Sequence, residues 1–214
     1  MEEEKKNMKR GLFILFEGAD RVGKSTQVQK LGDYLKNGLQ LDAKVLRFPD
    51  RTTPTGSIIN GYLQNTTQLD DRAIHLLYAA NRWEAKDNLM KLLNSGTSIV
   101  VDRYSYSGVA YTAAKGIDVD WCFNCEKGLP EPDLVIYLKM TTEDATLRGE
   151  YGTERYEKVD FQNKIKQIYE QHLIKPSWKV INANRDIDTV SNEINNIIKT
   201  EINQLIDKPI NYIN

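Results

Sequence analysis

Eight consecutive residues, Gly18-Ala19-Asp20-Arg21-Val22-Gly23-Lys24-Ser25, carry the spacing G-x-x-x-x-G-K-[ST]. The chemistry open to that spacing is the binding of a nucleotide's phosphates. Gly18 and Gly23 permit a backbone path that turns successive N–H groups inward around an anion. A helix beginning there adds the positive end of its dipole. Lys24 can reach the β- and γ-phosphates, and the Ser25 hydroxyl can ligate Mg2+. The motif carries this meaning only between a strand and a helix, and both flank it. Leu12-Phe13-Ile14-Leu15-Phe16 reads as a strand buried on both faces. Val28, Leu31 and Leu35 form one stripe of a helix running from about Lys24 to Gly38. Four fixed positions in that context argue against the plainer alternative, a glycine-rich turn with an exposed lysine.

A second group of polar residues stands further along. Asp102 and Arg103 follow a run of apolar residues; the carboxylate can hold Mg2+ or its waters, and the guanidinium can bridge phosphates. His75, Tyr78 and Arg82 are spaced i, i+3, i+7 and share one helix face. A tyrosine beside an arginine suits a base, one by stacking and the other by donating to a carbonyl oxygen. On helix geometry alone, a core tyrosine next to an arginine paired with a surface carboxylate is the better account. Cys122 and Cys125 form C-x-x-C, but no second pair exists and the two histidines, His75 and His172, lie far off in sequence. Two reduced thiols in a connecting segment explain them better than a zinc or redox site.

The elements that must position these groups alternate along the chain. Lys44 to Phe48 is a second strand ended by Pro49, and Gly56 to Leu63 a short helix. Asp70 or Asp71 caps a long helix towards Leu93, closed by Gly96. Ser98 to Val101, Leu134 to Leu138 and Lys179 to Ile181 complete the strands. Ile165, Ile168, Tyr169 and Leu173 mark a helix before the last strand; Val190, Ile194, Ile197, Ile198 and Leu205 mark one after it. This alternation predicts an α/β fold, a mostly parallel sheet with helices on both faces. Ligands in such sheets sit at the carboxyl ends of the strands. Asp102 and Arg103 lie at that edge with the phosphate loop. Asp133 precedes its strand, at the opposite edge, and reads as a turn or cap residue.

Composition narrows the class. The chain has 214 residues, 40% hydrophobic and 28% charged, with 29 Lys and Arg against 30 Asp and Glu and a net charge of −1. That balance argues against nucleic acid or an anionic membrane as partner, so positive charge for an anionic ligand must be concentrated locally. No apolar run approaches the roughly 18 residues of a membrane span, and no secretory or transit segment opens the chain. A cytoplasmic protein is expected, with the nucleus a further location. A guanine-reading N-K-x-D is missing, since Asn163-Lys164 lies in a predicted helix without the aspartate. A small kinase remains.

Several segments then match a known pattern. Phe48-Pro49-Asp50-Arg51, the run His75 to Glu84, the run Asp102 to Tyr111, Asp120-Trp121-Cys122, the run Gly128 to Asp133 and the run Gly152 to Glu157 resemble the signatures of the thymidylate kinase family. The likeness extends from Gly11 to Ala183 and is of the eukaryotic type, with an arginine inside the P-loop. It implies a P-loop fold of the nucleoside monophosphate kinase kind, with a five-stranded parallel sheet and a short lid at about 148–157. Residues 11–214 are then one domain behind a flexible segment at 1–10. The implied activity is ATP- and Mg2+-dependent phosphorylation of dTMP to dTDP, usually by a homodimer. By that resemblance Gly18, Asp20, Arg21, Val22, Gly23, Lys24, Ser25 and Thr26 bind ATP, with Arg148 near the adenine and Ala183 and Asn184 on its other side. Asp20 holds the sugar 3′-hydroxyl; Arg51 and Arg103 hold the dTMP phosphate. Tyr78 stacks on thymine, Arg82 bonds its O4, and Tyr111 crowds the 2′ position. Phe48, Ser107, Gly108 and Tyr156 line the same pocket. Ser25 and Asp102 serve the metal, and Arg21, Lys24, Asp102 and Arg103 the chemistry. Tyr78 stands where Phe is common, Ala79 where Ser is frequent, and Cys125 where Pro is usual.

The chemistry fits the residues without the family. An acceptor phosphate with a second pKa near ~6 is mostly dianionic at neutral pH and needs no general base. It needs relief of repulsion between two polyanions, which cations supply. Two rivals stay open: a deoxynucleoside kinase acting on a 5′-hydroxyl, and a nucleotide-binding module without turnover.

Overall fold

The computed structural model describes residues 10–146 and 154–214. Five strands, β1 (Phe13–Glu17), β2 (Ala43–Arg47), β3 (Ser98–Asp102), β4 (Leu134–Lys139) and β5 (Lys179–Asn182), form one parallel sheet in the order β2-β3-β1-β4-β5. β1 and β3 are buried at every position, as their unbroken apolar runs predict. Eight α-helices flank the sheet among the described residues: α1 (Lys24–Asp33), α2 (Pro54–Leu63), α3 (Asp71–Asn94), α4 (Ser105–Ala113), α5 (Val119–Asn124), α6 (Thr142–Thr146), α7 (Val159–Ile168) and α8 (Ile187–Ile206); π-helical turns at Tyr34–Gly38 and Tyr169–Leu173 continue α1 and α7. None is long and apolar enough to cross a membrane.

Alternation along β1 divides the core. Ile14 and Phe16 pack with Val28, Leu31, Val190, Ile194 and Ile198 from α1 and α8. Phe13 and Leu15 pack on the other face with Leu89, Leu93, Val109 and Ile165 from α3, α4 and α7. A third cluster of Ile59, Tyr62, Leu63, Ile74 and Tyr156 joins α2 to α3. Since α1 and α4 leave neighbouring strands for opposite faces, a crevice opens between them at the carboxyl edge.

Local chemistry sets the ends. Thr53 caps α2 ahead of Pro54, and Asp70 caps α3 by accepting from the amides of Arg72 and Ala73. Asp186 caps α8. Asp133 accepts from the Phe13 amide and holds Arg10 through both carboxylate oxygens, tying the amino edge of the sheet together. The strand ends shift by a residue from the sequence reading, β2 spanning Ala43–Arg47 rather than Lys44 to Phe48. β1 ends at Glu17 rather than Phe16, and β3 takes in Asp102. The helices α4, α5 and α6 have no sequence expectation; α4, Ser-Tyr-Ser-Gly at its start, shows no clear apolar period and carries an interior glycine.

Candidate active site

The phosphate loop leaves β1 at Gly18 and enters α1 at Lys24. Gly18, Arg21 and Gly23 take φ of 142°, 65° and 93°. At Gly18 a Cβ would come within 2.6 Å of the Leu138 carbonyl oxygen, so only glycine fits. No side chain caps α1, so its first amides keep their donors for an anion. Val22 is buried and pins the loop from below, while Ser25 and Thr26 are exposed. Lys24 is almost wholly buried and donates to the Ala19 carbonyl at 2.5 Å. Burial, with Arg103 beside it, pushes its ammonium down to about 7 against the pull of Asp102, Asp20 and Glu17. A polyphosphate on the loop would reverse that balance.

Ser25 Oγ donates to Asp102 Oδ2 at 2.5 Å, across the pairing that sets Phe16 of β1 beside Asp102 of β3. The other carboxylate oxygen, Asp102 Oδ1, is buried without a hydrogen-bond partner. A hydroxyl and an unsaturated carboxylate are the hard oxygen donors that Mg2+ takes together with substrate phosphates. The donor set fits. Ala183 and Asn184 lie beyond β5 at the same edge, Ala183 buried and Asn184 exposed with its amide on Asp144. Arg148 lies outside the described residues.

Beside the loop, one cleft gathers every residue assigned from sequence to the acceptor nucleotide. Asp20, Phe48, Arg51, Tyr78, Arg82, Arg103, Ser107, Gly108, Tyr111 and Tyr156 all line it. Tyr111 lies under the Arg103 guanidinium at 5.1 Å and edge-on to Tyr156 at 5.4 Å. Tyr156 in turn stacks on Phe161. Burial pushes the Tyr78 hydroxyl up, with the Tyr156 side chain beside it acting the other way. His75 shares the helix face but not the cleft: it is buried against Thr112 and the Cys122 carbonyl. Arg82 is salt-bridged, as helix geometry alone favoured, but its partner is the buried Glu126, not a surface carboxylate.

Carboxylates hold the cations of the cleft. Arg51 meets Glu154 through both terminal nitrogens at 2.8 and 3.1 Å. Arg21 meets Glu157 at 2.9 Å, and Arg103 meets Asp20. Burial works against ionisation of Asp20, but Arg103 and then Lys24 outweigh it and hold its carboxyl below the usual range. Arg155 faces away: it donates to the Tyr62 and Thr67 carbonyls, 3.9 Å over the Tyr62 ring.

The family model for thymidylate kinase matches residues 16–194. A thymidylate kinase of Dictyostelium discoideum is 67% identical over 204 residues, 95% of this chain and 92% of the relative. The Homo sapiens enzyme is 40% identical over 206 residues, 94% and 96% of the two chains. The solved structure of thymidylate kinase from Candida albicans superposes with a TM-score of 0.84 at 38% identity, covering 96% of this chain and 99% of that one. The chain belongs to the thymidylate kinase family.

Within this thymidylate kinase family member, the cysteines are bystanders. Cys122 is buried and its thiol pushed up to about 12 by burial, then by Cys125; both cysteines are free. Among the described residues no group of three His, Cys, Asp or Glu could hold a metal by itself. Several residues that build the site have no motif to announce them. Gln162 Oε1 accepts from the Asp20 amide and its Nε2 donates to Asp20 Oδ2. Glu17 is fully buried and accepts from the Tyr104 and Ser107 amides, Ser107 Oγ and the Tyr169 hydroxyl. Glu154, Glu157 and Glu126 belong with them. Only the Gly152-to-Glu157 segment drew attention to two of these from sequence.

Proposed function

We propose that this member catalyses the reaction its family is named for, transfer of the γ-phosphoryl group of ATP to the 5′-phosphate of dTMP, giving dTDP and ADP on the way to dTTP. The observation that carries the reading is the convergence of ten acceptor-site residues on one cleft that opens onto the phosphate loop at Asp20 and Arg103.

An oxygen of the dianionic dTMP phosphate attacks the γ-phosphorus, and ADP leaves. Gly18 to Thr26 cradle the donor, with Lys24 on its β- and γ-phosphates. Ser25 and Asp102 hold Mg2+, which when bound neutralises charge on the ATP phosphates. Arg51 and Arg103 exchange Glu154 and Asp20 for the acceptor phosphate; Asp20 then faces the sugar 3′-hydroxyl. Arg21 exchanges Glu157 for the transferring group. Tyr78 stacks on the base, Arg82 reads O4, and Tyr111 closes off the 2′ position, with Phe48, Ser107, Gly108 and Tyr156 completing the walls. Arg148, Ala183 and Asn184 flank the adenine. Glu154 and Glu157, the described part of the lid expected at about 148–157, meet Arg51 and Arg21, and residues 11–214 act as one domain. We place the protein in the cytoplasm as a homodimer; Leu76 and Trp83, seven apart on α3, expose an apolar stripe that suits a second copy.

ADP release from Mg·ATP against a panel of nucleoside monophosphates tests the reading. dTMP should be the preferred acceptor and thymidine inert. Turnover of thymidine but not dTMP would make it a nucleoside kinase, and no ADP with any acceptor a binding module.

A further inference from the structure

Glu126 follows α5 and is fully buried, yet it belongs to no motif and touches neither phosphate site. Its carboxylate meets Arg82 of α3 in a two-point pair, Nε to Oε2 at 2.8 Å and Nη2 to Oε1. Arg82 is itself buried, and Glu126 more than offsets the burial that would weaken its charge. The third nitrogen, Nη1, donates to no described residue, and Arg82 lines the cleft. From the other side α4 closes in at Gly108, where a Cβ would stand 2.5 Å from Nη2 and 3.2 Å from Nη1. The fork is therefore fixed in its plane by a carboxylate and pressed flat by a glycine.

Stability does not account for such a pair, because well-packed apolar residues in its place are commonly as stable or more so. Its geometry has another consequence. An arginine left free in this cleft has five donors, a long stem and two phosphate-binding neighbours, so it could turn towards either polyanion. Committed to Glu126 through Nε and one N–H of Nη2, it keeps three N–H groups, both of them on Nη1 and the second on Nη2, all held in one plane and so aimed in set directions at the base. A ring carbonyl accepts there. An exocyclic amino group meets a donor with a donor and leaves a buried N–H unpaired.

We propose that Glu126 is a specificity-determining positioning residue, fixing the Arg82 guanidinium so that Nη1 selects a base with a carbonyl at that edge over one with an amino group. The proposal rests on the acceptor reading above, with Arg82 against the base.

The test compares dTMP with 5-methyl-2′-deoxycytidine monophosphate, which keeps the methyl and sugar but replaces the 4-carbonyl with an amino group. The quantity read is the ratio of the inhibition constant of the amino analogue to KM for dTMP. In Glu126→Gln, whose amide cannot accept from Nη2 while it accepts from Nε, this ratio should fall at least about tenfold. The fall should come from a higher KM for dTMP, with the inhibition constant level or lower and KM for ATP unchanged. Glu126→Asp, which keeps the charge but shortens its reach, should move the ratio the same way by less, and carries the test if the amide variant does not fold. An unchanged ratio in a folded variant overturns the proposal. So does a parallel rise of both constants, which marks a merely structural pair. A wild-type enzyme inactive on dTMP overturns the acceptor reading instead, whatever the variants do.

Discussion

Arg21 sits at a φ of 65°, a left-handed backbone position that costs a non-glycine residue about 1–3 kcal/mol. Neither the flanking glycines nor α1 demands a side chain there. Strain kept at such a position points to work done by the guanidinium, which spans the distance from the donor loop to Glu157 in the segment before α7. In the proposed reaction it meets oxygens of both the transferring and the accepting groups, so its bonds strengthen as charge spreads in the transition state. Arginines so placed are worth ~10³–10⁵ in kcat. Arg21→Ala should therefore lower kcat at least about a hundredfold, while Tm and ATP affinity stay near wild type, since a partly exposed ion pair contributes only ~0–1 kcal/mol. Retention of kcat within a few-fold, with loss in Arg148→Ala, would move the cation to the lid. Arg51 holds the acceptor in ground and transition states alike, so its loss belongs in KM.

At the scale of elements, Glu17 joins the end of β1 to the start of α4 and to Tyr169, just past α7. Ser107 Oγ, donating to Glu17 at 2.5 Å, accepts from Arg103 Nη1 at 3.0 Å. The carboxylate thus orders the turn in which Arg103 takes a φ of 68°. In Glu17→Gln an amide nitrogen in place of Oε2 accepts from neither hydroxyl, and the loss of bonds to a buried acceptor should cost about 2–3 kcal/mol. Thermal unfolding should drop by roughly 5–10 °C, and KM for dTMP should rise more than KM for ATP. A variant that melts as wild type with both KM values intact would remove Glu17 from the site's support. Nothing in sequence marks this residue beyond its place after an apolar run. What was legible there is local: the phosphate motif between strand and helix, the unbroken runs of β1, β3 and β4, the Asp70 cap, and charged residues following a strand. Glu17, Glu126 and Gln162 act across dozens of residues, and such pairings have no period to read. The helix α4 was hidden because the cleft shapes its composition: Ser107 and Gly108 serve Arg103 and Arg82 rather than helix propensity.

At the scale of the molecule, the helical layer behind the cleft is closed by a histidine. His75 of α3 is fully buried between α4 and α5, its Nε2 3.0 Å from the Cys122 carbonyl and its Nδ1 2.9 Å from Thr112 Oγ1. A carbonyl only accepts, so the neutral ring carries its proton on Nε2 and accepts at Nδ1 from the threonine hydroxyl. Protonation would put the ring's second proton on Nδ1 in a buried site, and burial, then the nearby Arg82, lowers the folded pKa below 6.5. The unfolded chain therefore binds a proton that the native chain refuses once pH falls below about 6.5. Stability from this group is complete above that value and is lost as pH falls towards the folded pKa. One unit below the unfolded value the loss is at most about 1.4 kcal/mol, or roughly 3–6 °C in Tm. Carboxylates also lose stability with acid, but they do so in any variant, so the informative quantity is a difference of differences. The fall in Tm between pH 7.5 and 5.5 should be smaller in His75→Gln than in wild type, even if the variant melts lower at both. An equal fall in the two proteins would mean that the ring is protonated in the native state too, and that the layer over the sheet tolerates a charge at its centre.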